Sequence, residues 1–101
     1  MLSSSTNYQV LADSLFEDFL AWKNINQIYN YVKDNKKAGI ISTQLVLNRI
    51  AEKMYNKIKH LNSVQLSKMK EYFNQKDWDL FSFIICEQNL INNQQSSQIN
   101  L

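Results

Sequence analysis

The stretch "LNRIAEKMYNKIKH", residues 47–60, shows most clearly how this chain folds. Its apolar residues recur every three or four positions, the spacing typical of a helix that packs one face on a core. These apolar residues are Leu47, Ile50, Ala51, Met54 and Ile58. The opposite side of the same helix carries a row of basic residues, namely Arg49, Lys53, Lys57 and His60. The pattern therefore predicts a helix with a buried apolar face and a solvent-facing basic row.

The composition of the whole chain favours helices. The 101 residues include no proline and a single glycine, Gly39, whereas strands and tight turns rely on both residue types. Hydrophobic residues make up 45% of the chain, which is enough for a modest core in one domain. The sequence predicts an all-α fold, a compact bundle of four to five short helices. Residues 1–91 are expected to form this single domain, and the polar residues 92–101 a disordered tail.

Changes in the apolar pattern suggest where the helices begin and end. The helical spacing of residues 8–20 loses phase after Trp22, which predicts a second helix or a bend near Lys23–Asn24. Gly39 is expected to cap the end of the following helix in the left-handed conformation. Three further helices are predicted to begin at polar capping residues. Those caps are Ser42 or Thr43, then Ser63, then Asp77.

The stretch "WDLFSFIICEQNLI", residues 78–91, is apolar on nearly all sides between residues 78 and 86. We expect it to be the central and most buried helix. Cys86 lies within this stretch, where a thiol behaves as a small buried hydrophobe.

Charge is distributed unevenly along the chain. Residues 23–70 carry ten basic and two acidic side chains, a net charge of +8, whereas residues 1–22 and 71–101 each carry a net charge of −3. Two interpretations remain open at this point. The acidic ends pair with the basic centre inside one fold, or the centre faces an anionic partner while the ends face something else.

Residue counts argue against most enzyme chemistry. One glycine is too few for a phosphate-binding loop, and one cysteine with one histidine, Cys86 and His60, is too few for a zinc site. We expect no metal, no cofactor and no catalytic activity. An enzyme using Cys86 or the carboxylate pairs Glu17–Asp18 and Asp77–Asp79 is the least favoured alternative. The first ten residues lack the pattern of a secretory signal, and no apolar run reaches membrane-spanning length, so a cytoplasmic protein is expected.

The basic row has the spacing of a surface that contacts a nucleic-acid backbone. Its steps of about 6 Å along the helix axis are comparable to the phosphate repeat of an extended strand. Three lysines at the end of the preceding helix extend the row, and they are Lys33, Lys36 and Lys37. Tyr31 and Tyr55 lie off their apolar stripes, where they could stack on bases. The alternative is an ordinary solvated face.

In size, helical organisation and the basic rows around Lys33–Lys37 and Arg49–His60, the chain resembles the small subunit of a CRISPR surveillance complex of the Cascade type. The resemblance does not extend to a sequence motif. It implies a non-catalytic helical subunit that contacts RNA or single-stranded DNA and docks neighbouring protein subunits.

A second hypothesis is a small protein-binding inhibitor or adaptor of the phage or mobile-element type. Such a protein would act through an exposed apolar patch rather than through a basic row. The sequence suggests two candidate patches, Trp22 with Tyr29 and Leu2 with the C-terminal Ile99–Leu101.

Overall fold

The structure is a computed structural model that describes the backbone of residues 2–100 and the side chains of residues 8–92. The described residues form four helices and no strand. They are α1 (Leu2–Asp34), α2 (Ile40–Ile58), α3 (Ser63–Lys70) and α4 (Gln75–Asn100). The predicted all-α bundle is confirmed. Apart from Asn92, the side chains of the expected tail, residues 92–101, lie outside the described residues, and its disorder stays a prediction.

Helix α1 is a single helix of 33 residues, so the second helix predicted to begin near Lys23–Asn24 is wrong, and the alternative of a bend there stays a prediction. The apolar stripe loses phase there because a polar residue, Asn26, takes the stripe position between Trp22 and Tyr29. All three side chains are half-buried, so the buried side of α1 continues through this point. A polar residue on the buried stripe interrupts the apolar pattern without ending the helix, since α1 contains neither proline nor glycine.

The end of α1 is a Schellman motif built on Lys36. The Lys37 N–H donates to the Val32 carbonyl at 2.9 Å, and the Lys36 N–H donates to the Lys33 carbonyl at 3.2 Å. Lys36 adopts the left-handed conformation, with φ of +53°. The left-handed cap predicted at Gly39 is therefore at Lys36. Gly39 also has a positive φ, +100°, but it precedes α2 as its N-cap.

The caps of the other helices differ from the predicted caps by one to four residues. Helix α2 begins at Ile40, ahead of the expected Ser42 or Thr43 cap. Asn62, and not Ser63, caps α3 through a capping box with Gln65. Helix α4 begins at Gln75, and the side-chain oxygen of Asn74 accepts the Asp77 N–H at 2.8 Å.

The core lies where α1 and α2 pack along each other and α2 packs against α4. Part of this core is an aromatic cluster around Phe73, which lies in the turn between α3 and α4. The Phe73 ring lies 5.2 Å from the Phe81 ring, 5.5 Å from Trp78 and 5.8 Å from Phe16, measured between centroids. These distances fall in the favourable range for aromatic pairs. Phe73 therefore joins α1 to α4.

Helix α4 is not buried on all sides, contrary to the expectation for residues 78–91. One stripe faces the core, formed by Phe81, Ile84 and Gln88, while Phe83 and Cys86 are exposed. The predicted buried thiol is therefore wrong. Helix α2 is the more central element, since it contacts both α1 and α4.

Candidate functional site

The basic row of α2 winds around the helix and does not run straight along it. A step of four residues rotates around the helix axis by about 400°, so the two steps from Arg49 to Lys53 and from Lys53 to Lys57 each shift the row by about 40°. Arg49 starts the row on the outer side, and the two following steps carry it toward the flank that faces α1. The side chain of Lys53 is 64% exposed, whereas that of Lys57 is 25% exposed. The solvent-facing position predicted for Lys57 is therefore wrong.

Lys57 and Lys53 both pair with Asp18 of α1. The Lys57 Nζ lies 2.6 Å from Asp18 Oδ2 and also donates to the hydroxyl of Ser14, and the Lys53 Nζ lies 3.7 Å from Asp18 Oδ1. Only 14% of the Asp18 side chain is exposed. A carboxylate this buried needs a charged partner, because burial of an unpaired charge is costly. Lys57 thus connects α2 to α1.

A second ion pair links the C-terminal acidic segment to the basic centre. Lys23 Nζ lies 3.5 Å from Asp77 Oδ1. Together with the Asp18 pairs, it shows that the acidic ends do pair with the basic centre inside one fold. The carboxylates of Asp18 and Asp77, considered above for acid–base work, are partners of lysines.

The remaining bases of the predicted site lie at two ends of the α1–α2 hairpin. Lys33, Lys36 and Lys37 are exposed at the turn between α1 and α2, and His60 is exposed beyond the far end of α2. The 19 residues of α2 separate these ends by about 28 Å. The structure therefore does not bring the predicted residues together into one compact site.

The two tyrosines proposed as stacking residues differ in their surroundings. Tyr31 is exposed, and the Nζ of Lys37 lies 5.2 Å from its ring centroid. Tyr55 is half-buried, and its hydroxyl donates to Asn89 of α4 at 3.3 Å. Tyr31 remains accessible to a partner, whereas Tyr55 is held between α2 and α4.

An exposed apolar strip on α2 was missed from the sequence. Ile41, Leu45 and Val46 project into solvent on the N-terminal half of the helix. Leu45 and Val46, together with Arg49, line a shallow cavity of about 300 Å³. The i, i+4 spacing of Ile41 and Leu45, off the core stripe, was the available signal.

The candidate patch of Trp22 and Tyr29 is not a flat surface. Both side chains are half-buried and line a cavity of about 290 Å³ between α1, α2 and α4. Amide side chains from α2 and α4 complete the walls, among them Gln44, Asn48 and Gln88. The second predicted patch, Leu2 with Ile99–Leu101, lies outside the residues whose side chains are described.

Cys86 lies in a groove of about 200 Å³ between the ends of α2 and α3 and the middle of α4. Lys59 lines this groove, and His60 is not among the lining residues within the described part of the chain. Among side chains 8–92, no group of three His, Cys, Asp or Glu residues is placed to hold a metal ion. Nor is any helix of the described backbone long and apolar enough to cross a membrane.

No protein-family model, no curated protein and no solved structure matches this chain. The class that the structure itself defines is an all-α helical bundle.

Proposed function

We propose that the protein is a non-catalytic docking module that binds a partner protein through the outer strip of α2. The observation that supports the proposal is that α2 carries apolar residues on two different sides. Leu47, Met54 and Ile58 are buried against the rest of the bundle, while Ile41 and Leu45 are exposed on another side. Exposed apolar residues that cluster on one helix, rather than lying singly, are typical of a surface that contacts a partner.

The strip is large enough to contribute to binding. Complete burial of an Ile, Leu or Val side chain is worth about 1.5–3 kcal/mol. Because Ile41, Leu45 and Val46 remain about half exposed in the fold, roughly half of this burial free energy is still available to a complex. Their burial by a partner would supply roughly 3–4 kcal/mol before the costs of association. Arg49 at the edge of the strip adds a residue type that is common at binding hot spots.

The test compares two lysine substitutions at equally exposed positions. Leu45 is 62% exposed on the strip, and Val64 is 66% exposed on α3. Tagged wild type, Leu45→Lys and Val64→Lys are recovered from the native host, and the bound proteins are quantified by mass spectrometry. We expect a specific partner to be retained by Val64→Lys and lost by Leu45→Lys. Identical sets of bound proteins from both variants would contradict the proposal.

A second candidate function is the nucleic-acid contact implied by the resemblance to a Cascade-type small subunit. It is favoured by the exposure of six of the seven predicted contact residues, all except Lys57. In this function the exposed bases hold the RNA or single-stranded DNA backbone, and the α2 strip docks a neighbouring subunit.

This second function is tested by fluorescence anisotropy with labelled single-stranded RNA and DNA across a salt series. Arg49→Glu with Lys53→Glu is the test variant, and Lys76→Glu, which is exposed at the start of α4, is the control. Lys57 stays unchanged because its pair with Asp18 is the shorter and more buried one, whereas the contact of Lys53 with Asp18 is long and exposed. Loss of two phosphate contacts should weaken binding and reduce the slope of log K against log salt by about 1.4. Equal affinity of both variants for the labelled strands would exclude the surface at Arg49 and Lys53 as the nucleic-acid contact.

A further inference from the structure

The cavity between α1, α2 and α4 has the composition of a ligand site. Its volume of about 290 Å³ is near the lower end of small-molecule pockets. Trp22 and Tyr29 supply aromatic surface, and amides from two other helices supply hydrogen-bonding groups. An aromatic wall with a few convergent polar groups is the usual combination in sites that bind planar ligands.

Gln88 is the residue that the fold does not explain. It lies on the buried stripe of α4 with Phe81 and Ile84, and it is only 9% exposed. Within the part of the chain whose side chains are described, no hydrogen bond to its amide is found, and no side-chain polar atom there is both fully occluded and unsatisfied. Gln88 lines the cavity, so its amide is reached by whatever fills the cavity. Buried amides are normally hydrogen-bonded to protein or to water, and a ligand in the cavity would take the place of water at this amide.

The opposite wall offers complementary hydrogen-bonding groups. The Gln44 Nε2 donates to the Asn48 Oδ1 at 3.0 Å. This bond leaves the Asn48 amide hydrogens to donate and the Gln44 carbonyl to accept. The carboxylate of Glu87 also lines the cavity and accepts only. The amide donors and acceptors can pair with the ring nitrogens and carbonyls of a heterocycle, and the carboxylate can accept a hydrogen bond from an amino group on its edge.

A cation lies beside one of the aromatic residues that line the cavity. The Lys33 Nζ is 5.9 Å from the ring centroid of Tyr29, which is one of the aromatic walls. Lys33 is exposed at the C-terminal end of α1. It is placed to meet a phosphate attached to a ligand whose ring occupies the cavity.

We propose that this cavity binds a nucleobase with an exocyclic amino group, carried by a nucleotide. The base stacks on Trp22, its edge pairs with Gln88 and the α2 amides, and its phosphate meets Lys33. The same chemistry is available from a free nucleotide and from an unpaired nucleotide in a single strand. The cavity lies on a different side of α2 from the Leu45 strip, so the two proposals are independent.

The experiment is an NMR titration of the whole chain with AMP, CMP, GMP and UMP. The indole N–H of Trp22 and the side-chain amide of Gln88 report on the cavity, and Trp78→Phe assigns the indole signal. We expect saturable shifts of both signals with AMP, CMP or GMP, and at least tenfold weaker binding of UMP, which has no amino group for Glu87. Absence of shifts with all four nucleotides at millimolar concentration would overturn the proposal.

Gln88→Met separates ligand binding from folding, because methionine fills the same space without polar groups. This variant should retain the helical circular dichroism spectrum, melt at or above the wild-type temperature and lose nucleotide binding at least tenfold. Unchanged nucleotide affinity in Gln88→Met would also overturn the proposal. Titration with short single-stranded oligonucleotides distinguishes the sources of the base. If the oligonucleotide binds more tightly than the mononucleotide, the natural ligand is an unpaired nucleotide within a single strand. If it binds equally or more weakly, the natural ligand is a free nucleotide.

Discussion

Three residues of the basic row, Arg49, Lys53 and Lys57, should contribute to stability in steps, because Lys57 pairs closely with Asp18 of α1, Lys53 contacts it at long distance, and Arg49 has no ion pair among the described residues. Replacement of Lys57 by methionine keeps the apolar stem and removes the ammonium group. It leaves Asp18, with 14% of its side chain exposed, only the 3.7 Å contact with Lys53. Breaking a fully buried pair costs about 3–5 kcal/mol, and breaking an exposed pair costs about 0–1 kcal/mol. The Lys57–Asp18 pair lies between these limits, so we expect a loss of about 2 kcal/mol.

The same substitution at the other positions of the row should have much less effect. The Lys53 side chain is largely exposed and its contact with Asp18 is long, so Lys53→Met should cost about 0–0.5 kcal/mol. Arg49 is exposed, and Arg49→Met should be neutral within about 0.5 kcal/mol. The three variants therefore serve as matched controls for one another.

The free energy of unfolding is measured by urea denaturation followed by far-UV circular dichroism, in low and in high salt. A loss of 2 kcal/mol corresponds to a fall in Tm of roughly 8–16 °C for a domain of this size. A double-mutant cycle of Asp18→Asn with Lys57→Met should give a coupling energy of about 1–2 kcal/mol, and the cycle with Lys53→Met less than about 0.5 kcal/mol. Equal losses for all three methionine variants would refute the reasoning, since a uniformly solvated row predicts that result.

Three further predictions follow from the core, the turn and the thiol. Phe73→Ala should lose about 3–5 kcal/mol in urea unfolding, because it removes the ring that contacts Phe81 and Phe16, whereas Phe73→Leu should lose only about 1 kcal/mol. Lys36→Gly should raise the free energy of unfolding by about 0.5 kcal/mol, seen as a higher Tm, because glycine adopts a positive φ without strain. The control Ala38→Gly, in the same turn at a negative φ, should lower the free energy of unfolding. Cys86 should react with an aromatic disulfide in the native protein within about tenfold of its rate in denaturant, because the thiol is exposed.

Each of these predictions has a clear contrary result. A loss below about 1.5 kcal/mol for Phe73→Ala would mean that other contacts hold the α3–α4 turn on the core. Equal destabilisation by Lys36→Gly and Ala38→Gly would mean that the left-handed conformation carries no strain. A thiol that reacts only after unfolding would place Cys86 inside the protein.

Several features of the fold were predictable from local sequence. The absence of proline, the single glycine and the apolar spacing of residues 47–58 predict helices, and helices are what the described backbone shows. The core face of α2 is also as expected, since Leu47, Ala51, Met54 and Ile58 are all buried. These features depend on helix propensity and on a period of 3.6 residues, which are properties of neighbouring residues.

Other features depended on which elements become neighbours. The phase change after Trp22 predicted a second helix or a bend, but α1 continues as one helix, and the polar Asn26 is half-buried on the same stripe as Trp22. The apolar run at residues 78–86 predicted complete burial, but only one side of α4 meets another helix. An apolar pattern shows which residues are able to be buried, and the packing partner decides which of them are.

The candidate site, too, was predictable in part from local sequence and in part only from the packing of the helices. The sequence by itself determined that α2 would carry a basic row opposite an apolar face, because both follow from spacing along one helix. Only the tertiary structure decided that Lys57 is not part of that free surface. Asp18 lies 39 positions away in the chain, and it approaches Lys57 only because α1 and α2 pack along each other. The cavity lined by Trp22 and Gln88 likewise exists only where three helices meet, and no local pattern encodes such a meeting.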